Sequence, residues 1–301
     1  MQWVGMLPGQ GSQEAGMGNE LLEKYNNLLK STFEESLGWS LEDIINSNDP
    51  ELIKKTNIAQ PYIFAISYCY GLEAINELGS PAALIGHSLG EYTALCLSGY
   101  LDFKDALKVI AVRGEEMQKA VENSNTTMAA VLTNDLDTTF EEINKLNNQG
   151  IQIWISNLND PTQIVVSLYI EDVDFLKSNP KTLGAKRIIP LEVAGAFHTE
   201  IVSSAKKPLN DVLSEVHISE GKIPVYMNVD AKKVELSTLK ENLVNQIDNS
   251  VLFNQQIEFV NKEIDPDLWC HIGPGNVTAG MVRKSISYKD LKIINSLESS
   301  R

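Results

Sequence analysis

Gly86-His87-Ser88-Leu89-Gly90 is the sharpest chemical signal in the chain. The two glycines let the backbone turn tightly between a strand-like run and a helix-like run, which leaves the serine hydroxyl exposed at a strand end. The N–H of the next residue, Leu89, then points to where an oxyanion would form. A serine hydroxyl is a weak nucleophile until a base takes its proton, and the chain offers four histidines. His87 adjoins the serine, but side chains diverge on such a turn, so it reads as a brace. His217 lies in a polar stretch, and His271 ends an apolar strand-like run as a core histidine would. His198, in Gly195-Ala196-Phe197-His198-Thr199, lies where the chain returns from a smaller unit toward a cleft. The residues alone favour His198 and leave the choice open. Arg113 is equally ambiguous: it flanks the apolar face of a helix-like segment, where it could pair with Glu115 or Glu116, or serve a ligand.

The elements that must position these residues alternate between strand and helix patterns, which implies an α/β layout with parallel strands covered by helices. Strands are expected at 3–7 and 82–85, each ending in a Gly-containing turn, with a buried helix at 61–78. A helix at 105–121 places Leu107, Ile110, Ala111, Gly114, Met117 and Val121 on one face. After the small polar stretch 123–127 the pattern reads strand 128–132, helix 136–146, strand 151–156, strand 163–168, helix 170–176, strand 187–193. That order is β-α-β-β-α-β, the ferredoxin-like arrangement. From Gly195 the α/β character resumes, ending in a strand at 268–272 and the turn Gly273-Pro274-Gly275. The expected architecture is therefore an α/β-hydrolase-like catalytic subdomain of residues 1–126 and 194–301, interrupted by a ferredoxin-like subdomain of residues 127–193. The site is expected in the cleft where they meet.

Composition sets the outer bounds. The 301 residues are 43% hydrophobic and 22% charged, enough for a sizeable core. Residues 1–7 lack the basic start of a signal peptide, and no apolar run approaches the ~20 residues that span a bilayer. Cys69, Cys96 and Cys270 have no metal-ligand spacing and read as reduced core residues of a cytoplasmic protein. A net charge of −15 excludes a global basic footprint for nucleic acid. It also means that an anionic ligand must find local positive charge, for which Lys181, Lys186 and Arg187, or Lys206 and Lys207, are candidates.

A resemblance sharpens this reading. Leu7-Pro8-Gly9-Gln10-Gly11-Ser12-Gln13, the Gly16 to Gly18 turn and Gly86-His87-Ser88-Leu89-Gly90-Glu91-Tyr92 are followed by Arg113-Gly114. Asn157-Leu158-Asn159 with Pro161 and Gln163, then Phe197-His198, Asn228-Val229, Gln246 and Gly273-Pro274-Gly275 complete the series. In this order they resemble the motifs of the malonyl-CoA:acyl carrier protein transacylases. The resemblance implies Ser88 as nucleophile and His198 as its base and then acid, held by backbone groups rather than by an Asp or Glu. It implies an oxyanion hole of the Gln10 and Leu89 N–H groups, with glycines beside Gln10 so that the backbone can come close to the substrate. Arg113 becomes the clamp for the free malonyl carboxylate, with Gln246, Phe197 and Asn157 also at the substrate. Leu89 and Phe197 suggest malonyl over methylmalonyl. Two departures concern loops: Ser167 is followed by Leu168, and Ser250-Val251 stands where the family has Pro-Val.

The implied activity is ping-pong transfer of malonyl from coenzyme A to the phosphopantetheine thiol of an acyl carrier protein, in fatty-acid or polyketide synthesis. The implied partners are malonyl-CoA and the carrier, with no metal or other cofactor, no nucleic acid and no membrane, and the chain is expected to be a monomer. Rival readings are an acyl hydrolase of the same fold, a carrier-docking module without activity, and a generic esterase.

Overall fold

In the computed structural model, which describes residues 1–47 and 49–300, the wholly buried run Trp3–Leu7 forms strand β1. It lies at the centre of a five-stranded sheet between β2 (Ala83–Gly86) and β8 (Leu268–Ile272), with β7 (Val225–Tyr226) and β9 (Leu291–Ile294) at the edges. Every pairing in it is parallel. Strands buried on both faces read as continuous apolar runs, which is why 3–7 and 268–272 stand out in the sequence. The register sets Leu7 beside Gly86 and Met6 beside His271. The loops after β1, β2 and β8 therefore leave the sheet at one edge, the carboxyl end where parallel α/β sheets bind ligands.

The helix Thr56–Leu78 is buried on nearly every side. It begins five residues before the expected start, because Pro61 lies inside the helix and does not open it. The Thr56 N–H is capped from outside by Gln118 Oε1, at 3.0 Å. The helix Phe103–Val121 is N-capped by Asp102, whose carboxylate accepts the Asp105 N–H at 2.7 Å.

The second sheet contains β3 (Thr126–Thr133), β4 (Ile153–Asp160), β5 (Gln163–Tyr169) and β6 (Ala185–Pro190) in the order β4-β5-β3-β6, all antiparallel. With helices Leu136–Asn148 and Ile170–Ser178 this is the expected ferredoxin-like arrangement. β4 runs four residues past its expected end, to Asp160, with register shifts that accommodate Asn157 and Asn159. β3 shows the period of two that serves both faces: Ala129 and Val131 join the core under the helices, whereas Met128 and Ala130 line a cavity against the first sheet. Val251 joins the two bodies, donating its N–H to Ser156 O and accepting from Leu158 N, both at 2.9 Å. Ser250 adds a bond to Ile155 O, so the departure from the Pro-Val pattern supplies a tie between the bodies. Among the described residues no helix is long and apolar enough to cross a membrane.

Candidate active site

The elbow after β2 is held in a strained shape. Ser88 has φ 51 and ψ −108, a region that residues with a side chain rarely enter. Three contacts fix it there: its N–H donates to Asn228 Oδ1 at 2.8 Å, and its carbonyl accepts Gln246 Nε2 at 3.0 Å and the Glu91 N–H at 3.1 Å. Glycine is required on both sides of the turn. A Cβ on Gly86 would lie 2.0 Å from the Gly90 carbonyl carbon, and one on Gly90 would lie 2.2 Å from Leu7 O.

Ser88 Oγ lies 2.8 Å from His198 Nε2, and His198 Nδ1 lies 2.8 Å from the Gln246 carbonyl oxygen. A carbonyl can only accept, so Nδ1 carries the ring proton and Nε2 is left to accept the serine proton. Burial, with Arg113 adding repulsion, holds His198 down to about 3, which keeps the ring neutral. The other histidines are placed as braces or core residues. His87 Nε2 meets Asn159 Oδ1 at 2.9 Å, and its ring meets Phe253 edge-on. His271 is held by Thr278 Oγ1 and Pro274 O, a side chain as well as the backbone. His217 contributes a backbone N–H to Asp105.

Arg113 is buried, with 1% of its surface exposed. Its Nη1 donates to Gln60 Oε1 at 2.7 Å, and its Nη2 to Gln246 Oε1 at 2.8 Å and to Ser88 Oγ at 3.0 Å. Among the described residues its Nε has no hydrogen-bond partner, and its guanidinium carbon lies 5.4 Å from the centre of the Tyr92 ring. No carboxylate oxygen among the described residues comes within 4.0 Å of it; Glu115 and Glu116 pair with Lys119 instead. Burial lowers its pKa, and the nearby Glu91 opposes this only from a distance, with no carboxylate in direct contact.

These residues open on a cavity of about 630 Å³. Gln10, Leu89, Asn157 and Phe197 all line it. Among the described residues neither the Gln10 nor the Leu89 N–H has a hydrogen-bond partner, so both are free for a ligand. Asn157 is buried, and among the described residues its side chain has no hydrogen-bond partner. The glycines beside Gln10 have two different causes. A Cβ on Gly9 would lie 2.6 Å from His87 O, so Gly9 lets the loop approach the elbow, whereas Gly11 has open space around it and a φ of 97. Neither basic group expected from the sequence lines the cavity. Lys206 is tied to Asp248 and Lys207 to Asp211. Among the described residues the one lysine lining the cavity is Lys54, paired with Glu51 and Glu192.

The sequence motifs assign no role to Gln60, Glu91 or Asn228, which the structure brings to the site. Asn228 holds both ends of the elbow, since its Nδ2 also donates to Gly86 O at 2.7 Å. Glu91 accepts the Asn228 N–H and Gln246 Nε2. Burial pushes its pKa up, while those donors and the Arg113 charge pull it down toward the ionised form. The available signal was composition: Glu91 is the one acid in the otherwise uncharged run Leu89–Ser98, and a lone buried acid needs a reason.

A parallel sheet with a tight strand-to-helix elbow at its carboxyl edge, faced by a ferredoxin-like sheet across a cavity, is the fold of the acyltransferases. The chain belongs to the acyl transferase domain family, whose model matches residues 4–296. It is similar to the malonyl CoA-acyl carrier protein transacylase of Bacillus subtilis (strain 168), at 38% identity over 285 residues, covering 93% of this chain and 89% of that protein. It is also similar to the polyketide biosynthesis malonyl CoA-acyl carrier protein transacylase BaeC of Bacillus velezensis, at 33% identity, covering 93% and 95%. Among solved structures it resembles a malonyl-transacylase in complex with its type II PKS acyl-carrier protein (PlMCAT:AntF), with a TM-score of 0.91, 28% identity, and 100% and 98% of the two chains covered.

Proposed function

We propose that the protein moves a malonyl group from malonyl-CoA to the phosphopantetheine thiol of an acyl carrier protein, through an ester on Ser88. The reading divides the chain into a catalytic subdomain of residues 1–126 and 194–301 and a small subdomain of residues 127–193. It places the protein in the cytoplasm, serving fatty-acid or polyketide synthesis.

In the first half-reaction His198 Nε2 takes the Ser88 proton as Oγ attacks the thioester carbonyl. The Gln10 and Leu89 N–H groups receive the oxyanion. Collapse breaks the carbon–sulfur bond, and the departing coenzyme A thiolate takes the proton back from His198. In the second half-reaction the carrier thiol gives its proton to the same nitrogen and attacks the ester, and Ser88 recovers its proton as it leaves. A neutral His198 suits the first step, and the bond from Nδ1–H to the Gln246 carbonyl keeps the ring in the required tautomer.

The observation that carries the substrate is Arg113, a buried guanidinium 3.0 Å from Ser88 Oγ with only neutral acceptors around it. An acyl group ending in a carboxylate supplies a directly contacting counter-charge through charge-assisted bonds. An uncharged acyl group leaves the desolvated charge unrelieved. A hydrolase of neutral acyl groups has no use for that arrangement, and a docking module has no use for the Ser88–His198 bond. The test is intact-protein mass spectrometry after brief exposure to malonyl-CoA, methylmalonyl-CoA or acetyl-CoA. A malonyl adduct on the wild type, absent from Ser88→Ala and passed on to added carrier protein, is the expected result. Acetyl labelling that water removes, without a malonyl adduct, would support the hydrolase instead.

A further inference from the structure

Glu91 is wholly buried beneath the elbow and takes no part in the steps above. Its Oε2 accepts the Asn228 backbone N–H, and its Oε1 accepts Gln246 Nε2 at 3.0 Å. Both partners grip the nucleophile: Asn228 Oδ1 accepts the Ser88 N–H at 2.8 Å, and Gln246 Nε2 also donates to Ser88 O at 3.0 Å. The other end of the Gln246 amide, Oε1, accepts Arg113 Nη2 at 2.8 Å. An amide has one donating end and one accepting end, so whatever faces Nε2 decides what faces Arg113. Nε2 is surrounded by acceptors, namely Glu91 Oε1, Ser88 O and, at 3.2 Å, Asn228 Oδ1. Glu91 is the charged one. Both of its oxygens receive an N–H, which is the contact pattern of a carboxylate; a protonated acid would turn an O–H toward one of those donors.

We propose that Glu91 is a positioning residue whose acceptor-only carboxylate locks the Gln246 side chain with its oxygen toward Arg113, and so holds the guanidinium beside Ser88 for the carboxylate of the acyl group. The proposal rests on the malonyl-transfer reading. It separates two duties of Gln246. The backbone carbonyl fixes His198, whereas the side chain, oriented by Glu91, fixes Arg113.

Glu91→Gln separates them experimentally. A glutamine has one acceptor and one donor, and the Asn228 backbone N–H claims the acceptor. Its NH2 then faces Gln246, and two N–H groups cannot satisfy each other. Gln246 must turn its oxygen away from Arg113 or leave a buried donor unpaired. The first outcome loses the Arg113 bond and the second destabilises the amide orientation that makes it, while neither moves the Gln246 backbone carbonyl that fixes His198.

The experiment measures acylation of Ser88 by malonyl-CoA and by p-nitrophenyl acetate, a neutral activated ester, in wild type, Glu91→Gln and Glu91→Asp, with Tm recorded for each. Glu91→Gln is expected to lose about tenfold or more in kcat/KM for malonyl-CoA, chiefly through KM, and to keep its rate with the neutral ester within about twofold. Glu91→Asp keeps an acceptor-only carboxylate and is expected to retain the malonyl preference to within about threefold of wild type. Parallel loss on both substrates means a merely structural role and overturns the proposal, as does an unchanged malonyl rate. Should Glu91→Gln not fold, an Asp variant that loses the preference about tenfold overturns it alone. A wild type that takes up no malonyl removes the functional reading itself, and this proposal with it.

Discussion

At Ser88 the acyl group would meet two basic groups of opposite design, one kept neutral and one kept charged. His198 is held down to about 3, chiefly by burial, so a fall in pH from 8 to 5 leaves it unprotonated. A free histidine would gain its proton near 6.5 and lose its function as a base. Single-turnover acylation is therefore expected to stay flat from about pH 8 to about pH 5; a rate that halves near 6.5 would contradict this environment. Arg113 keeps its charge without a carboxylate partner, and its removal reaches malonyl and neutral acyl groups unequally. Arg113→Ala is expected to lower kcat/KM for malonyl-CoA by about 2–5 kcal/mol, roughly 30-fold at least, with little change for a neutral acyl donor. Arg113→Lys keeps a charge without the planar fork and should fall between the two. Competition assays with malonyl-CoA and acetyl-CoA read the ratio directly. Ser88 was legible from its own motif, whereas His198 and Arg113 were ambiguous by residue type and spacing and were singled out only by the family resemblance. Glu91 and Gln60 were not legible, because their partners lie far along the chain: Gln246 is 155 residues from Glu91, and Arg113 is 53 from Gln60.

Strands and helices meet most closely at the elbow, and the glycines there are of two kinds. Gly90 starts the helix Leu89–Ser98 so close to β1 that a Cβ would lie 2.2 Å from the Leu7 carbonyl oxygen. Gly90→Ala must therefore move the helix off the strand, and with it Ser88. Loss of measurable acylation, with destabilisation of about 1–3 kcal/mol or more in urea unfolding, is the expected result. Gly280 lies inside the helix Val277–Ser285, and no atom comes within 4 Å of its added Cβ. Gly280→Ala should raise stability by about 0.5–1 kcal/mol with activity intact. The sequence pattern cannot tell these two glycines apart, since both sit at helix-compatible positions and differ only in what another segment brings near. The same reason limits element boundaries. The buried run 268–272 is bounded by its own composition, and its strand has those ends. The helix Thr56–Leu78 starts before Pro61 because Gln118, on the helix Phe103–Val121, supplies the cap. The alternation in β3 was visible as a strand, but which face meets the cavity was not; that is set by the sheet across from it.

The site lies where the two sheets meet, so its buried ionisable groups tie the chemistry to the stability of the whole molecule. Burial holds His87, His198 and His271 below the ordinary 6.5, the last two to about 3 and about 4. As pH falls through 6.5 the unfolded chain takes up these protons and the folded protein does not. The stability these groups contribute is therefore present above 6.5 and is lost as pH falls toward 4 and 3. Near pH 5.5 the unfolded chain binds roughly two more protons than the folded protein, on His198 and His271. Two protons correspond to a stability that falls by about 2–3 kcal/mol for each pH unit of acidification. Urea unfolding between pH 5 and pH 7 reads this slope, with the midpoint moving and the m-value steady. His271 touches neither Ser88 nor Arg113; its ring is bound by Thr278 and Pro274, behind the loop that follows β8. His271→Gln removes one of the titrating groups, so the slope should flatten by about one proton, roughly 1.4 kcal/mol per pH unit, while acylation at pH 7 persists in the molecules that fold. A wild-type stability that does not change from pH 5 to 6.5 would mean that the buried rings are hydrated in solution, and the flat acylation profile expected of His198 would fall with it.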